Sequence, residues 1–135
     1  MLALNGGIRI WHISDVVDMR YGKYRLLKVI EEKHLNPFNG DAYVFLSRNR
    51  KTLKILRYDC DKVVLYDISY MKGYKFMKPV FKGNELWYQL DFRYLVALLN
   101  CPSRDNINVR YIIVNQQNKC RKVLYICDNL RIFMI

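Results

Sequence analysis

The segment DAYVFLSRNRKTLKILRYDCDKVVLYDIS, from Asp41 to Ser69, contains three short runs rich in β-formers: Ala42–Ser47, Leu53–Tyr58 and Val63–Ile68. Valine, isoleucine, tyrosine and phenylalanine suit the half-buried pleated surface of a sheet. Two polar connections separate the runs, Arg48-Asn49-Arg50-Lys51-Thr52 and Asp59-Cys60-Asp61-Lys62. Links this short cannot carry a crossover, so each strand is expected to pair antiparallel with the next. The product is a β-meander with a cationic first turn.

Outward from this centre, Asn36-Pro37-Phe38-Asn39-Gly40 is dense in residues that interrupt regular structure. Before it, Met19, Leu26, Leu27 and Ile30 share one face at helical spacing, which predicts a helix from about Met19 to Lys33. Lys23 falls on the same arc. Arg20, Arg25 and Lys28 point elsewhere and form a basic outer surface. Asp15 or Asp18 offers an N-cap whose carboxylate suits the helix dipole, and Gly22 weakens the first turns slightly. Ile8–Ile13 alternates bulky residues with Arg9 and His12 and reads as a first strand.

On the other side, Met71–Gly83 is basic and loop-like, with Tyr74-Lys75-Phe76 as a short edge strand. Glu85–Leu90 reads as a strand. Asp91 caps a second helix, Phe92–Asn100, which Cys101-Pro102-Ser103 ends because proline cannot continue it. Val109–Val114 and Val123–Cys127 are expected to form a hairpin across Asn115–Lys119. The apolar run Leu130–Ile135 must pack on its own domain, on a partner chain or on a second copy. The expected fold is α+β: an antiparallel meander sheet packed with an N-terminal helix and a short C-terminal helix, plus a C-terminal hairpin. Residues 1–103 form its domain and 104–135 an extension.

At 135 residues and 52% hydrophobic, the chain is the size of one domain and can bury a core, which excludes a disordered segment. Lys and Arg outnumber Asp and Glu by 23 to 12, a formal net charge of +11. Such a field attracts polyanions, with nucleic acid the usual partner and an anionic membrane or an acidic protein as rivals. Met1–Asn5 is short and uncharged, and Arg9, Asp15 and Asp18 interrupt any apolar run, so no signal peptide is expected. No stretch approaches the roughly 20 apolar residues of a membrane span. A cytoplasmic protein without membrane contact is the expectation. Cys60, Cys101, Cys120 and Cys127 lack the close pairing of zinc ligands, and reduced, mostly buried thiols are expected.

The candidate interface is the first meander turn and the strand after it. Arg48, Arg50, Lys51, Lys54 and Arg57 could neutralise phosphates, with Arg20, Arg25 and Lys28 of the first helix beside them. Tyr58, Tyr66 and Tyr70 offer stacking surfaces for a single strand. Asp15, Asp18, Asp41, Asp59 and Asp61 are better read as cap and turn residues than as metal ligands for a nuclease. Glu31-Glu32-Lys33 falls on a helix, where strand-borne nuclease ligands do not belong. Gly6-Gly7 lacks the pattern of a phosphate loop, and His12 and His34 read as structural. No catalytic residue, metal or cofactor is expected.

Asp18-Met19-Arg20, Gly22, Asn36-Pro37-Phe38-Asn39-Gly40-Asp41, Val44-Phe45, Arg50, Leu53-Lys54-Ile55-Leu56, Val64-Leu65-Tyr66 and Gly73-Tyr74-Lys75-Phe76 occur in this order. The series resembles the small accessory proteins encoded by the second reading frame of insertion sequence 66 mobile elements. The resemblance covers about residues 1–100. It implies a non-catalytic aid to transposition, working beside a separate, larger transposase, with element DNA or the transposase as partner. It carries over positions only: Asp18, Arg20, Gly22, Gly40, Asp41, Arg50 and Lys54. The chain departs from the family at Tyr21, where a basic residue is usual, at Asp61-Lys62, and at Asp67–Met71, where the family has a basic stretch. Residues from about Arg110 run past the usual family end.

Overall fold

The β-rich runs pair as a meander because their links leave no other partner within reach. The computed structural model describes residues 7–71, 73–82, 86–104, 111–115, 124–126 and 132–134. Its elements are β1 (Ile10–Ile13), α1 (Lys23–Glu32), β2 (Ala42–Leu46), β3 (Thr52–Asp59), β4 (Lys62–Ser69), β5 (Tyr74–Lys75), β6 (Lys78–Lys82) and β7 (Trp87–Leu90), followed by α2 (Phe92–Asn100), β8 (Ser103–Arg104), β9 (Tyr111–Asn115), β10 (Leu124–Ile126) and β11 (Ile132–Met134). The fold is α+β. β2, β3 and β4 run antiparallel, with Phe45 opposite Lys54 and Leu56 opposite Leu65. Cys60 and Asp61 close the β3–β4 turn, both at positive φ (45° and 64°), the backbone of a tight hairpin whose twist matches its strands.

The sheet is mixed rather than antiparallel. β1 lies parallel to β2, with Trp11 opposite Tyr43, and β7 pairs antiparallel with β1, giving the order β4-β3-β2-β1-β7. The physical reason is α1: a helix between two strands returns the chain to its starting end, the crossover parallel neighbours require. Both faces of the sheet are covered. Ile10, Val44, Leu53 and Ile55 pack with Leu95 and Leu98 of α2 and with Phe76 and Met77. Ile13, Tyr43, Phe45 and Leu56 pack with Leu26, Leu27 and Ile30 of α1. Each such aliphatic side chain contributes about 1.5–3 kcal/mol by burial. β2 is buried at every position, which explains why AYVFL is a continuous apolar run rather than an alternating one.

α1 begins four residues later than its periodicity suggested. Asp18 does not cap it: the Asp18 carboxylate accepts the Arg20 backbone N–H (2.9 Å), and the Tyr21 N–H donates to the Asp18 carbonyl (3.0 Å). That tight turn occupies the residues before the helix, and Gly22 is the N-cap, with no side-chain cap bond. The helix ends where the His34 N–H donates to the Glu31 carbonyl (3.0 Å) and the Leu35 N–H to Ile30 (3.3 Å), with His34 left-handed at φ 62°. His34 thus stands where glycine usually closes this kind of cap. α2 has the expected bounds, and the Asp91 carboxylate accepts the Arg93 N–H at 3.1 Å.

A second sheet, β11-β10-β9-β6, includes the expected C-terminal hairpin, with Tyr125 opposite Ile112. β11 adds to β10, so part of the apolar tail is a strand of this sheet. β6 replaces part of the expected loop and runs parallel to β9. Pro79 is tolerated there because β6 is an outer strand. Tyr74-Lys75 is the short strand expected, paired with Ser103–Arg104. The hairpin loop 116–120 and residues 127–131 lie outside the described residues.

Candidate functional site

The β2–β3 turn is stiffened by its own side chains. The Ser47 hydroxyl donates to Asn49 Oδ1 (2.7 Å) and accepts the Thr52 N–H (3.2 Å), and the Lys51 N–H donates to Asn49 Oδ1 (3.1 Å). On this frame Arg48 and Lys51 are exposed, and neither forms an ion pair among the described residues.

Arg50, Lys54 and Arg57, expected at the same interface, are occupied within the fold. Arg50 is half-buried with φ 60°. Its Nη1 donates to the Phe76 carbonyl (3.3 Å) and its own carbonyl accepts the Phe76 N–H (2.8 Å), tying the turn to the segment before β6. Lys54 is buried on the α1 face of β3. Its Nζ donates to the carbonyls of Met19 (2.6 Å) and Tyr21 (3.0 Å), with Asp67 at 3.8 Å. Arg57 Nε donates to the Gly40 carbonyl (3.3 Å). Strand alternation explains this: β3 has both faces covered, so a basic residue at its centre must point into one layer or the other.

Around α1, Arg25 and Lys28 are exposed, and the Arg25 guanidinium lies 5.0 Å from the centre of the Tyr21 ring. Arg20 is exposed but engaged by Asp18, with contacts of 2.7–3.1 Å. The Arg20 hydrogen bonds hold the Asp18 carboxyl down at about 2. The expected aromatic platforms are otherwise employed. The Tyr58 hydroxyl donates to Asp61 (2.8 Å) and its ring meets Phe38 edge-on. The Tyr70 hydroxyl donates to the carbonyls of Leu98 and Leu99 at the end of α2, and Tyr66 packs against the core. Tyr24 of α1, which the sequence did not single out, is 83% exposed.

Beside the turn, at the carboxyl ends of β1 and β2, lies a cleft of about 270 Å³ lined by His12, Leu46, Ser47, Arg48, Arg50 and Lys78 among others. Burial holds the His12 imidazole neutral, with its pKa down at about 4. Asp15 at the cleft is ion-paired with Lys33 beyond the end of α1. Lys78 and His12 were not recognised as neighbours of Arg48, because the parallel placement of β1 and β2 brings His12 there and Lys78 arrives on β6 of the second sheet. Asp41, read as a turn residue, is a buried acceptor for Arg9 Nε (3.3 Å), Trp11 Nε1 (2.9 Å) and Asn39 Nδ2 (3.0 Å). The parallel register, Ile10 opposite Ala42, sets Arg9 and Asp41 side by side.

Among the described residues, no three His, Cys, Asp or Glu side chains gather as a metal site. Cys60, expected among mostly buried thiols, is exposed at the β3–β4 turn, and Cys101 is half-buried. No helix among the described residues is long and apolar enough to cross a membrane.

The family model described as "IS66 Orf2 like protein" matches residues 8–109, so it takes in β1 to β8 and ends before β9. The uncharacterized protein y4hO of Sinorhizobium fredii (strain NBRC 101917 / NGR234) is 31% identical over 87 residues, covering 64% of this chain and 75% of that protein. No solved structure matches this chain. The ordered series from Asp18 to Phe76 lies wholly inside the matched span, and the chain belongs to the IS66 Orf2-like family, an accessory family of insertion sequence 66 transposition rather than a known enzyme family.

Proposed function

We propose that this chain is a non-catalytic transposition factor that holds DNA, or the transposase–DNA complex, through phosphate contacts from the β2–β3 turn and the outer face of α1. The observation that carries the reading is the pair Arg48 and Lys51, exposed on a turn whose backbone is fixed by Ser47 and Asn49, with neither in an ion pair among the described residues. Arg25 and Lys28 extend the positive surface, and the net charge of +11 adds long-range attraction. Arg50, Lys54 and Arg57 are left out of this interface because their donors are already engaged.

The test is binding to the element's terminal repeats and to scrambled duplex across a salt series. Four cations contacting phosphates give a log–log slope of about −3.6, at roughly −0.9 per contact. Arg48→Gln with Lys51→Gln is expected to flatten the slope by about 1.8. Affinity indifferent both to salt and to this double change would overturn the reading. A second reading has the chain dock on the transposase without touching DNA. Tyr24 on α1 and Val96 on α2, both exposed, favour it, since exposed apolar and aromatic side chains are common at protein contacts. Co-purification with transposase from DNA-free material, with no measurable DNA affinity, would select it.

A further inference from the structure

We propose that the cleft at the carboxyl ends of β1 and β2 is a phosphate pocket that seats one phosphate group of a nucleic-acid strand. The proposal rests on the DNA-contact reading and adds a defined seat to it. Two independent features converge on the cleft.

The first is topology. β1 and β2 are parallel neighbours, whereas β1's other neighbour, β7, runs antiparallel. Chain leaving β1 continues through Ser14, Asp15 and Val16 toward α1, and chain leaving β2 turns through Ser47 and Arg48 into the hairpin. Loops diverging from the same end of adjacent parallel strands leave a crevice, where open α/β sheets bind their ligands.

The second is chemistry. The floor is buried: His12 and Ile13 are each 1% exposed and Leu46 is 7% exposed. Two cations reach the cleft from separate parts of the chain, Arg48 from the turn and Lys78 from β6, while Arg50 lines it with its Nη1 held by the Phe76 carbonyl. The carboxylate there, Asp15, is held by Lys33, so it does not cancel them. A dry floor lowers the local dielectric and strengthens attraction to an anion. Arginine's planar fork matches two oxygens of a phosphate, and lysine adds a point charge. At about 270 Å³ the space is near the lower end of small-molecule pockets, about 300–1,000 Å³, and suits a single nucleotide rather than a duplex.

The test is calorimetric titration of the full chain with inorganic phosphate, then with one short single strand bearing either a 5′-phosphate or a 5′-hydroxyl. One phosphate is expected to bind per chain. Lys78→Gln, at an exposed position away from the hairpin, is expected to weaken phosphate about tenfold, as loss of a charge-assisted bond does. Lys51→Gln does not touch the cleft, so it is expected to leave phosphate affinity unchanged while weakening duplex DNA. Tighter binding of the phosphorylated strand would assign the seat to a strand end, and equal binding with competition by phosphate would assign it to an internal phosphodiester. No phosphate binding, or binding indifferent to Lys78→Gln, would overturn the pocket. If Lys51→Gln still weakened duplex DNA in that case, the hairpin reading would stand alone.

Discussion

Lys54 can be buried only because two backbone carbonyls and a nearby carboxylate receive its ammonium. The carbonyls belong to Met19 and Tyr21, so this single side chain pins the turn ahead of α1 to the middle of the sheet. Replacing it by methionine keeps the stem but leaves both acceptors without their donor. Lys54→Met is expected to cost about 2 kcal/mol, read as a lower urea midpoint, without altering the salt dependence of DNA binding. His12 makes a different demand. Its folded pKa of about 4 lies below the ordinary histidine value of 6.5, so the unfolded chain takes up a proton first as pH falls. Stability is therefore full above about pH 6.5 and declines as pH drops toward 4, by about 3 kcal/mol in all. Denaturation at pH 7 and pH 4.5 should show this loss in the native chain and a smaller one in His12→Gln. Asp18 does not enter that window, since its titration lies lower, between the ordinary aspartate value of 3.8 and about 2. In sequence, Lys54 and Arg50 cannot be told from Lys51 and Arg48. The difference is made by residues 19, 21 and 76, which are distant along the chain and adjacent in space.

Among the elements, α1 has two duties on opposite sides. Leu26, Leu27 and Ile30 cover the sheet, while Arg25 and Lys28 face solvent. Its apolar spacing made the buried side legible, but the start of the helix was not, because Asp18 spends its carboxylate on a local turn with Arg20. The duties separate experimentally. Reversing charge by Arg25→Glu and Lys28→Glu is expected to change stability by no more than about 0.5 kcal/mol, as exposed changes usually do. If the α1 face touches DNA, the same pair weakens binding strongly at low salt and flattens the salt slope. An unchanged slope would confine contact to the β2–β3 turn. That turn was readable from its length and composition, which permit only a hairpin between β2 and β3.

At the scale of the molecule, two sheets meet in the stretch that follows the meander. β6, within residues 1–103, pairs with β9 from the C-terminal segment, so that segment completes a sheet rather than trailing from one. Ending the chain at Arg104 would strip β6 of this neighbour and open a strand edge. The truncated chain is expected to show faster amide exchange across Val80–Lys82 and concentration-dependent association by size exclusion, while β3 amides stay protected. Unchanged exchange in β6 would show that β9 adds little to it. The family match ends at residue 109, so the pairing of β6 with β9 is a feature that the matched span does not supply alone.

The primary structure was enough to establish the meander, both helices, the C-terminal hairpin, the positive charge and the family, because each depends on local spacing, on composition or on an ordered series of residues. The parallel placement of β1 beside β2, the burial of Lys54 and Asp41, and the gathering of Arg48, Arg50 and Lys78 around one cleft were decided only in three dimensions. The first two follow from a helix returning the chain across the sheet and the third also from β6 of the second sheet, and all bring together residues that share no pattern along the sequence.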